Sequence, residues 1–391
     1  VTLGPTGQIE TSSWRQILAR SITTAEALPA PFRGDIAGIR EVTAQYPMRV
    51  NPYYLGLIRH PGDPIYRQCI PDIREVAQEK GWEDPLHEEG LSPVPGLTHR
   101  YPDRVLFLVT LHCATYCRFC NRKRKIGQAP GITWKTIGQG LSYIRNHREI
   151  RDVLLSGGDP FLLENRDLGR ILEELRAIPH VEIIRIGTRV PCTLPQRITH
   201  RLVRVLKAYP PLYIHTHFNH PSEITPEASL ACCRLADAGI PLGCQTVLLK
   251  GVNDDPAVIR ELMQRLLTMR VRPYYLFQAD LVRGTSHFWT PLSTGLGIMA
   301  LLQGHTSGLC LPHFAVDLPG GGGKVPLLPR QVKGMDGESL LIQDYRGKEH
   351  RYPLPHASED ELCALKKWID GRRSGTNRPV ACVPRPARSS M

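Results

Sequence analysis

The stretch VLFLVTLHCATYCRFCNRKRK, residues 105–125, decides the fold and points to the chemistry. Its first seven residues are apolar or β-branched, as in a strand buried on both faces. Directly after them come Cys113, Cys117 and Cys120 in the spacing C-x3-C-x2-C. A disulfide would leave one sulfur over, and a structural zinc site normally closes with four ligands. The nearest candidate for a fourth, His112, adjoins Cys113 and points to the opposite face of a strand. Three thiolates suit an iron–sulfur cluster, and three instead of four leave one iron open to hold a ligand. Tyr116 and Phe119 stand beside the cysteines, placed to shield such a cluster from water.

Outward from this stretch, one unit repeats as far as residue 278: a short apolar run, a loop, then a helical pattern. Candidate strands are 105–111, 152–158, 181–189, 212–218, 242–249 and 272–278. Between them Leu168, Ile171, Leu172 and Leu175 mark an amphipathic helix at i, i+3, i+4 and i+7, and Ile259, Leu262, Met263 and Leu266 mark another. Six alternations predict a parallel sheet with right-handed crossovers. Six are fewer than the eight of a closed barrel, so the expected fold class is α/β, an open, partial (β/α)6 barrel. Ligands of such sheets sit at the carboxyl ends of the strands. The unusual residues fall there: Cys113, then Ser156-Gly157-Gly158-Asp159-Pro160, Thr188-Arg189, His217-Phe218-Asn219-His220, and Asp280.

Three regions are expected: helices and turns over 1–95, the barrel over 96–329, and a C-terminal extension over 330–391. The extension holds strand-like SLLIQDY (339–345) and HRYPLP (350–355) and a charged helix near 359–371. Its end, from Ser374 onward, has the composition of a disordered tail. With 391 residues and 41% hydrophobic content, the chain can bury one large core or two modest ones. No stretch approaches the roughly 20 apolar residues of a membrane span, and the opening VTLGPTGQIETSSWRQ has no apolar signal core. It begins with Val and not Met, which leaves room for an upstream segment. Eleven cysteines, three of them clustered, suggest a reduced, cytoplasmic protein. A net charge of +12 raises the question of nucleic acid. The one dense run, Arg122-Lys123-Arg124-Lys125, lies beside the cysteines, where anionic cofactors explain it equally well. No nucleic-acid partner is expected.

Pro319-Gly320-Gly321-Gly322-Gly323-Lys324 is the second strong signal. A phosphate-cradling G-x-x-x-x-G-K-[ST] loop fails here, because Leu318 holds the first glycine position and Val325 follows the lysine. Consecutive glycines let a backbone pass close to a bulky flat ligand. Lys324 is then either a solvated turn residue or an imine-forming lysine activated by desolvation. Pyridoxal phosphate is the fitting aldehyde, and Arg100 and Arg104, just before the first strand, offer fork-shaped donors to its phosphate.

The cysteine triplet resembles that of the radical S-adenosylmethionine superfamily. Together with LLSGGDP (154–160), PHVEIIRIGTR (179–189), LPQRIT (194–199), THFNHPSEIT (216–225), LADAGIPLG (235–243), RPYYLFQ (272–278), QGHTSG (303–308) and VDLPGGGGKVP (316–326), it resembles the lysine 2,3-aminomutase family. The likeness runs from SITTAEAL (21–28) to about residue 345. The resemblance implies that Cys113, Cys117 and Cys120 bind a [4Fe–4S] cluster and that Lys324 holds pyridoxal 5′-phosphate, with Arg100, Tyr101 and Arg104 on its phosphate side. Ser156, Gly157, Gly158, Asp159, His217 and Gln245 match positions around S-adenosylmethionine. Arg122 matches the residue that takes the substrate α-carboxylate, and Asp280 and Asp317 match the pair that holds the ε-ammonium. The implied reaction takes hydrogen from the β-carbon, moves nitrogen from C2 to C3, returns the hydrogen and regenerates S-adenosylmethionine. An electron donor of flavodoxin or ferredoxin type is implied as well.

At about 4 Å and an effective dielectric near 20, each opposite charge contributes on the order of 4 kcal/mol before desolvation. Two acids therefore favour a free cationic amino acid, lysine first and arginine second, and repel glutamate; the family's glutamate-using relatives lack the pair. Departures from the family pattern are Phe277, in place of a frequent tyrosine, and Asp255, in place of a cysteine that binds an intersubunit zinc. Cys363 and Cys382, 19 positions apart, do not make the family's C-terminal cysteine cluster. Zinc is not expected, and a homodimer or larger assembly is. Rival readings are a mutase that serves elongation factor P, a radical enzyme that modifies RNA, and a non-catalytic iron–sulfur sensing protein.

Overall fold

The computed structural model describes residues 13–374, apart from 79, 129–130, 328–330, 345 and 355–357. The expected disordered end thus lies almost wholly outside the described residues. Two compact units divide at residue 327. The first contains a nine-stranded sheet whose spatial order is the chain order. Its strands are β1 (Leu97–Tyr101), β2 (Arg104–Thr110), β3 (Asp152–Gly157), β4 (Ile183–Gly187), β5 (Leu212–Thr216), β6 (Leu242–Leu248), β7 (Arg272–Gln278), β8 (His313–Leu318) and β9 (Gly323–Pro326).

Strands β2 to β8 run parallel, and β1 and β9 add antiparallel edges. The six expected strands are present, and β8 is a seventh. Its sequence, HFAVDL, is short, carries an acid and runs straight into the glycines, so its strand pattern is masked by the turn signal that follows. Crossover helices cover the outside. Leu168, Ile171, Leu172 and Leu175 of the helix Asn165–Arg176 are fully buried, as are Ile259, Leu262 and Leu266 of Pro256–Thr268. Each such side chain contributes about 1.5–3 kcal/mol by leaving water. Asp255 caps the latter helix by accepting from the Ala257 N–H at 2.7 Å, which is a local reason for an acid at that position.

Period-two alternation puts Val153 and Leu155 of β3 against the helices while Asp152, Leu154 and Ser156 line an inner cavity. One cavity is lined from β1 through β9, so the sheet curls around it. The two edges meet through side chains: the Lys324 N–H donates to Tyr101 Oη at 2.8 Å, and Arg100 pairs with Asp317 at 3.4 Å. Gly323 has φ +82°, and a Cβ there would stand 2.9 Å from Tyr101 Oη. Glycine is required at that closure by both dihedral and space.

Short N-terminal helices, among them Ile36–Gln45, Pro52–Leu55 and Pro64–Cys69, share the core with the barrel. They hold the cysteine loop from behind. Fully buried Asn51 donates to the Ala114 carbonyl at 3.2 Å and the Thr193 carbonyl at 2.8 Å. Glu75, 1% exposed, takes Arg118 Nη2 at 2.6 Å and also Lys123 Nζ. Burial opposes its charge, but the two cations outweigh it and hold Glu75 below the usual carboxylate range. The second unit holds an antiparallel sheet of β10 (Val332–Asp336), β11 (Ser339–Gln343) and β12 (Glu349–Pro353), and the helix Glu359–Ser374. No helix among the described residues is long and apolar enough to cross a membrane.

Removing Glu75 leaves two buried cations without their carboxylate. Glu75→Ala is expected to lower stability by about 3–5 kcal/mol, read as a fall in the urea midpoint at unchanged m-value. A shift below 1 kcal/mol would contradict this account.

Candidate active site

The cysteine loop leaves β2 and is pinned by backbone bonds: Tyr116 N–H to the Arg49 carbonyl at 2.8 Å and Arg118 N–H to the Gln68 carbonyl at 2.9 Å. These contacts turn Tyr116 and Arg118 inward to the protein core, while Cys113, Cys117 and Cys120 line the cavity. Phe119 shares that lining and packs 5.5 Å from the His217 ring, whereas Tyr116 lies in the core under Arg49. Only one of the two flanking aromatics therefore faces the cavity.

Behind the cysteines the two glycines of Ser156-Gly157-Gly158 admit the loop's backbone. The Gly158 N–H donates to the Thr110 carbonyl at 2.6 Å, and the Asp159 N–H to the His112 carbonyl at 2.8 Å. Gly157 has φ +128°, and a Cβ on it would stand 2.0 Å from the Thr110 oxygen. Asp159 accepts from Thr188 Oγ1 at 2.6 Å and from the N–H groups of Phe161, Arg189 and Val190. Its carboxylate thus ties the end of β3 to the end of β4. Burial pushes its pKa up to about 6 against those donors.

The cavity measures about 700 Å³ and gathers residues from positions 86 to 324. The three cysteines, Arg100, Tyr101, Arg104, Arg122, Ser156, Gly157, Gly158, Asp159, His217, Gln245, Asp280, Asp317 and Lys324 all line it. His217 bonds Asn219 Oδ1 at 2.9 Å, and burial lowers its pKa to about 3, so it is neutral near pH 7. Lys324 Nζ lies 2.8 Å from Asp317 and 5.2 Å from the Phe277 ring centre. Asp280 accepts from Asn121 Nδ2 at 3.2 Å; burial, with Asp317 nearby, pushes it up to about 7. Arg104 stacks on Tyr101 at 3.8 Å and pairs with Asp103.

Sequence reading left several lining residues without a role. Arg189 was visible as a strand-end residue; the structure shows its guanidinium donating to Cys117 Sγ at 2.7 Å, Gln68 Oε1 at 2.6 Å and Glu223 Oε1 at 2.7 Å. Glu88, 3% exposed, grips Arg122 with both oxygens. It lies in the acid-rich stretch WEDPLHEE, which reads as a solvated turn. Each member of the basic run has a carboxylate: Arg122 with Glu88, Lys123 with Glu75, Arg124 with Asp84 and Glu89, Lys125 with Glu89. That run is locally neutralised.

The donor set fits an iron–sulfur cluster. Among the described residues no three His, Cys, Asp or Glu side chains are disposed around a single metal ion. Burial raises the Cys113 thiol and takes Cys120 up to about 11, with neighbouring thiols adding to both shifts. Charge on this triplet therefore requires a cationic centre beside it. Arg100, Arg189, His215, Thr216 and Gln278 line the same cavity, and each has one buried polar atom without a hydrogen-bond partner. Polar ligands satisfy such atoms.

A curled, parallel α/β sheet with a cysteine triplet after its first parallel strand defines a radical S-adenosylmethionine enzyme, and the Radical SAM superfamily model matches residues 107–263. The Lysine-2,3-aminomutase model matches residues 299–376. L-lysine 2,3-aminomutase of Clostridium subterminale is 48% identical over 369 residues, covering 92% of this chain and 89% of that protein. The enzyme of the same name from Methanococcus maripaludis is 52% identical over 322 residues, covering 81% and 74%. Glutamate 2,3-aminomutase of Clostridioides difficile is 47% identical over 313 residues, covering 79% and 74%. The chain belongs to the lysine 2,3-aminomutase family. It is an aminomutase, an isomerase, and superfamily membership implies an iron–sulfur cluster and S-adenosylmethionine.

Gly157→Ala is expected to strain a position closed to L side chains by about 1–3 kcal/mol and to push the Thr110 carbonyl, and with it the cysteine loop. Iron bound per chain after anaerobic reconstitution should fall at least twofold relative to wild type. Full iron content with unchanged stability would refute the close-approach reading.

Proposed function

We propose that the enzyme moves the α-amino group of free L-lysine from C2 to C3, giving L-β-lysine, with a [4Fe–4S] cluster, S-adenosylmethionine and pyridoxal 5′-phosphate. The observation that carries this reading is one cavity holding the cysteine triplet, Lys324 and the acids Asp280 and Asp317. Its lining fits pyridoxal phosphate: an amine on a glycine-built turn, an aromatic face in Phe277, and Arg100 and Arg104 near the lysine's own strand contact with Tyr101. When bound, the cluster and S-adenosylmethionine supply a carbon-centred radical, and pyridoxal phosphate supplies the aldehyde carbon that carries the migrating nitrogen.

The chain's residues do the rest. Arg122 directs hydrogen-bond donors at the α-carboxylate, and Asp280 and Asp317 attract a side-chain ammonium. Asp317 also holds Lys324 Nζ, keeping the amine aimed into the cavity. Buried Phe288, against Phe119, helps keep water from the cysteines. A substrate fixed at its amine, carboxylate and ammonium has its β-carbon placed by three points. Such fixing converts a collision into a near-unimolecular step.

Reconstituted enzyme with dithionite and S-adenosylmethionine, given lysine, arginine and glutamate separately under anaerobic conditions, is expected to form a β-amino acid from lysine. Lys324→Ala should form none while keeping its iron. Product from glutamate alone would overturn the assignment.

Asp280 adds a pH signature. Below about pH 7 it is mostly protonated and neutral, and above that it is a carboxylate that a cation can meet. The KM for lysine should therefore fall about tenfold between pH 6 and pH 8. Asp280→Asn should flatten that profile and raise KM throughout; a slope surviving in the variant would assign the titration elsewhere.

A further inference from the structure

We propose that Glu88 sets both the charge and the aim of the wall that receives the substrate carboxylate. The inference rests on the lysine reading above and deepens it. Arg122 Nε lies 2.9 Å from Glu88 Oε2 and 3.1 Å from Oε1, and Arg122 Nη2 lies 2.6 Å from Oε1. The Nε/Nη2 side of the guanidinium, the edge best shaped for a carboxylate fork, is thus already taken. Nη1 is left facing Ser156 Oγ at 3.5 Å, at the limit of a hydrogen bond. A substrate carboxylate must come to this outer edge, and from that side alone.

Other cations of the cavity have less to offer. Arg189 gives its Nη groups to Cys117, Gln68, Glu223 and Tyr54, and Arg100 gives its own to Asp317 and the Leu86 carbonyl. Asn121, next to Arg122 in the chain, donates to Asp280 at 3.2 Å, and Arg122, Asp280 and Asp317 line the same cavity. Glu88 is 3% exposed and lines the cavity, and Arg122 holds it ionised in spite of burial. The pair is neutral. It offers directed hydrogen bonds to one carboxylate without the surplus positive charge that would draw in a second.

Two consequences separate charge from aim. Glu88→Gln keeps the shape but takes from buried Arg122 the carboxylate paired with it, so carboxylates should bind more tightly and less usefully. Titration calorimetry of the holoenzyme should show glutamate affinity rising about tenfold or more. Affinity for cadaverine, which is lysine without its carboxylate, should stay within about threefold. The kcat for lysine should fall about tenfold or more, with no rise in KM. Glu88→Asp restores the charge from a shorter stem, so weak glutamate binding should return while kcat stays low. This milder change also stands in if Glu88→Gln fails to fold.

Unchanged glutamate affinity in Glu88→Gln, equal changes for glutamate and cadaverine, or wild-type kcat in both variants would overturn the proposal. Wild-type enzyme that binds glutamate and not lysine would sink the substrate reading, while the Glu88 charge argument would still be decided by the Glu88→Gln glutamate affinity.

Discussion

Glu75 and its two cations are the contact on which the cysteine loop depends. A loop that must show three thiols to a cavity has only its back with which to hold on, and that back carries Arg118 and Lys123. Burying two cations is costly unless a carboxylate receives them. Glu75, on the short helix Arg74–Ala77, does so and brings the N-terminal segment into the site's support. The helices before the barrel are thus structural partners of the cysteines, and the apolar core they share with the strands makes the attachment stiff.

Polar groups continue the same support on the cavity side. Glu223, fully buried, accepts from Arg189, from the Tyr54 hydroxyl at 2.6 Å and from the Asn219 and His220 N–H groups. Asp159 performs a matching task between β3 and β4. Each acid binds loops from different strands, so the carboxyl ends of the sheet form one connected rim. Such networks resist distortion because each bond lost would leave a further buried charge or dipole without a partner.

Much of this was legible in the sequence, and the reasons are physical. Strands β2 to β7 announce themselves as apolar and β-branched runs because one face is buried under the helices and the other is only partly exposed, and the helix over 165–176 because its four buried residues keep helical spacing. Chemistry-bearing residues were visible where a rare type recurs at fixed spacing, as in the cysteines and the glycine–lysine run. Glu88 and Glu75 were not. A carboxylate in a polar stretch looks the same whether solvated or buried, and the partners that decide the matter lie 34 and 43 positions along the chain. Strand β8 failed for another reason: six residues flanked by turn formers carry too little pattern to stand out.

The contact between Tyr101 and the backbone of Lys324 has a thermodynamic side. One strand both carries the Lys324 amine and makes the seam between the sheet's edges, so a ligand held there and the seam would be linked equilibria. Whatever binds Lys324 and the Arg100–Tyr101 side together spends part of its binding free energy on keeping the edges joined. The seam itself is made by side-chain contacts, where every neighbouring pair of strands has a ladder. Occupancy of that corner and integrity of the barrel are in this sense linked, through a tyrosine hydroxyl, the Arg100–Asp317 pair and a glycine.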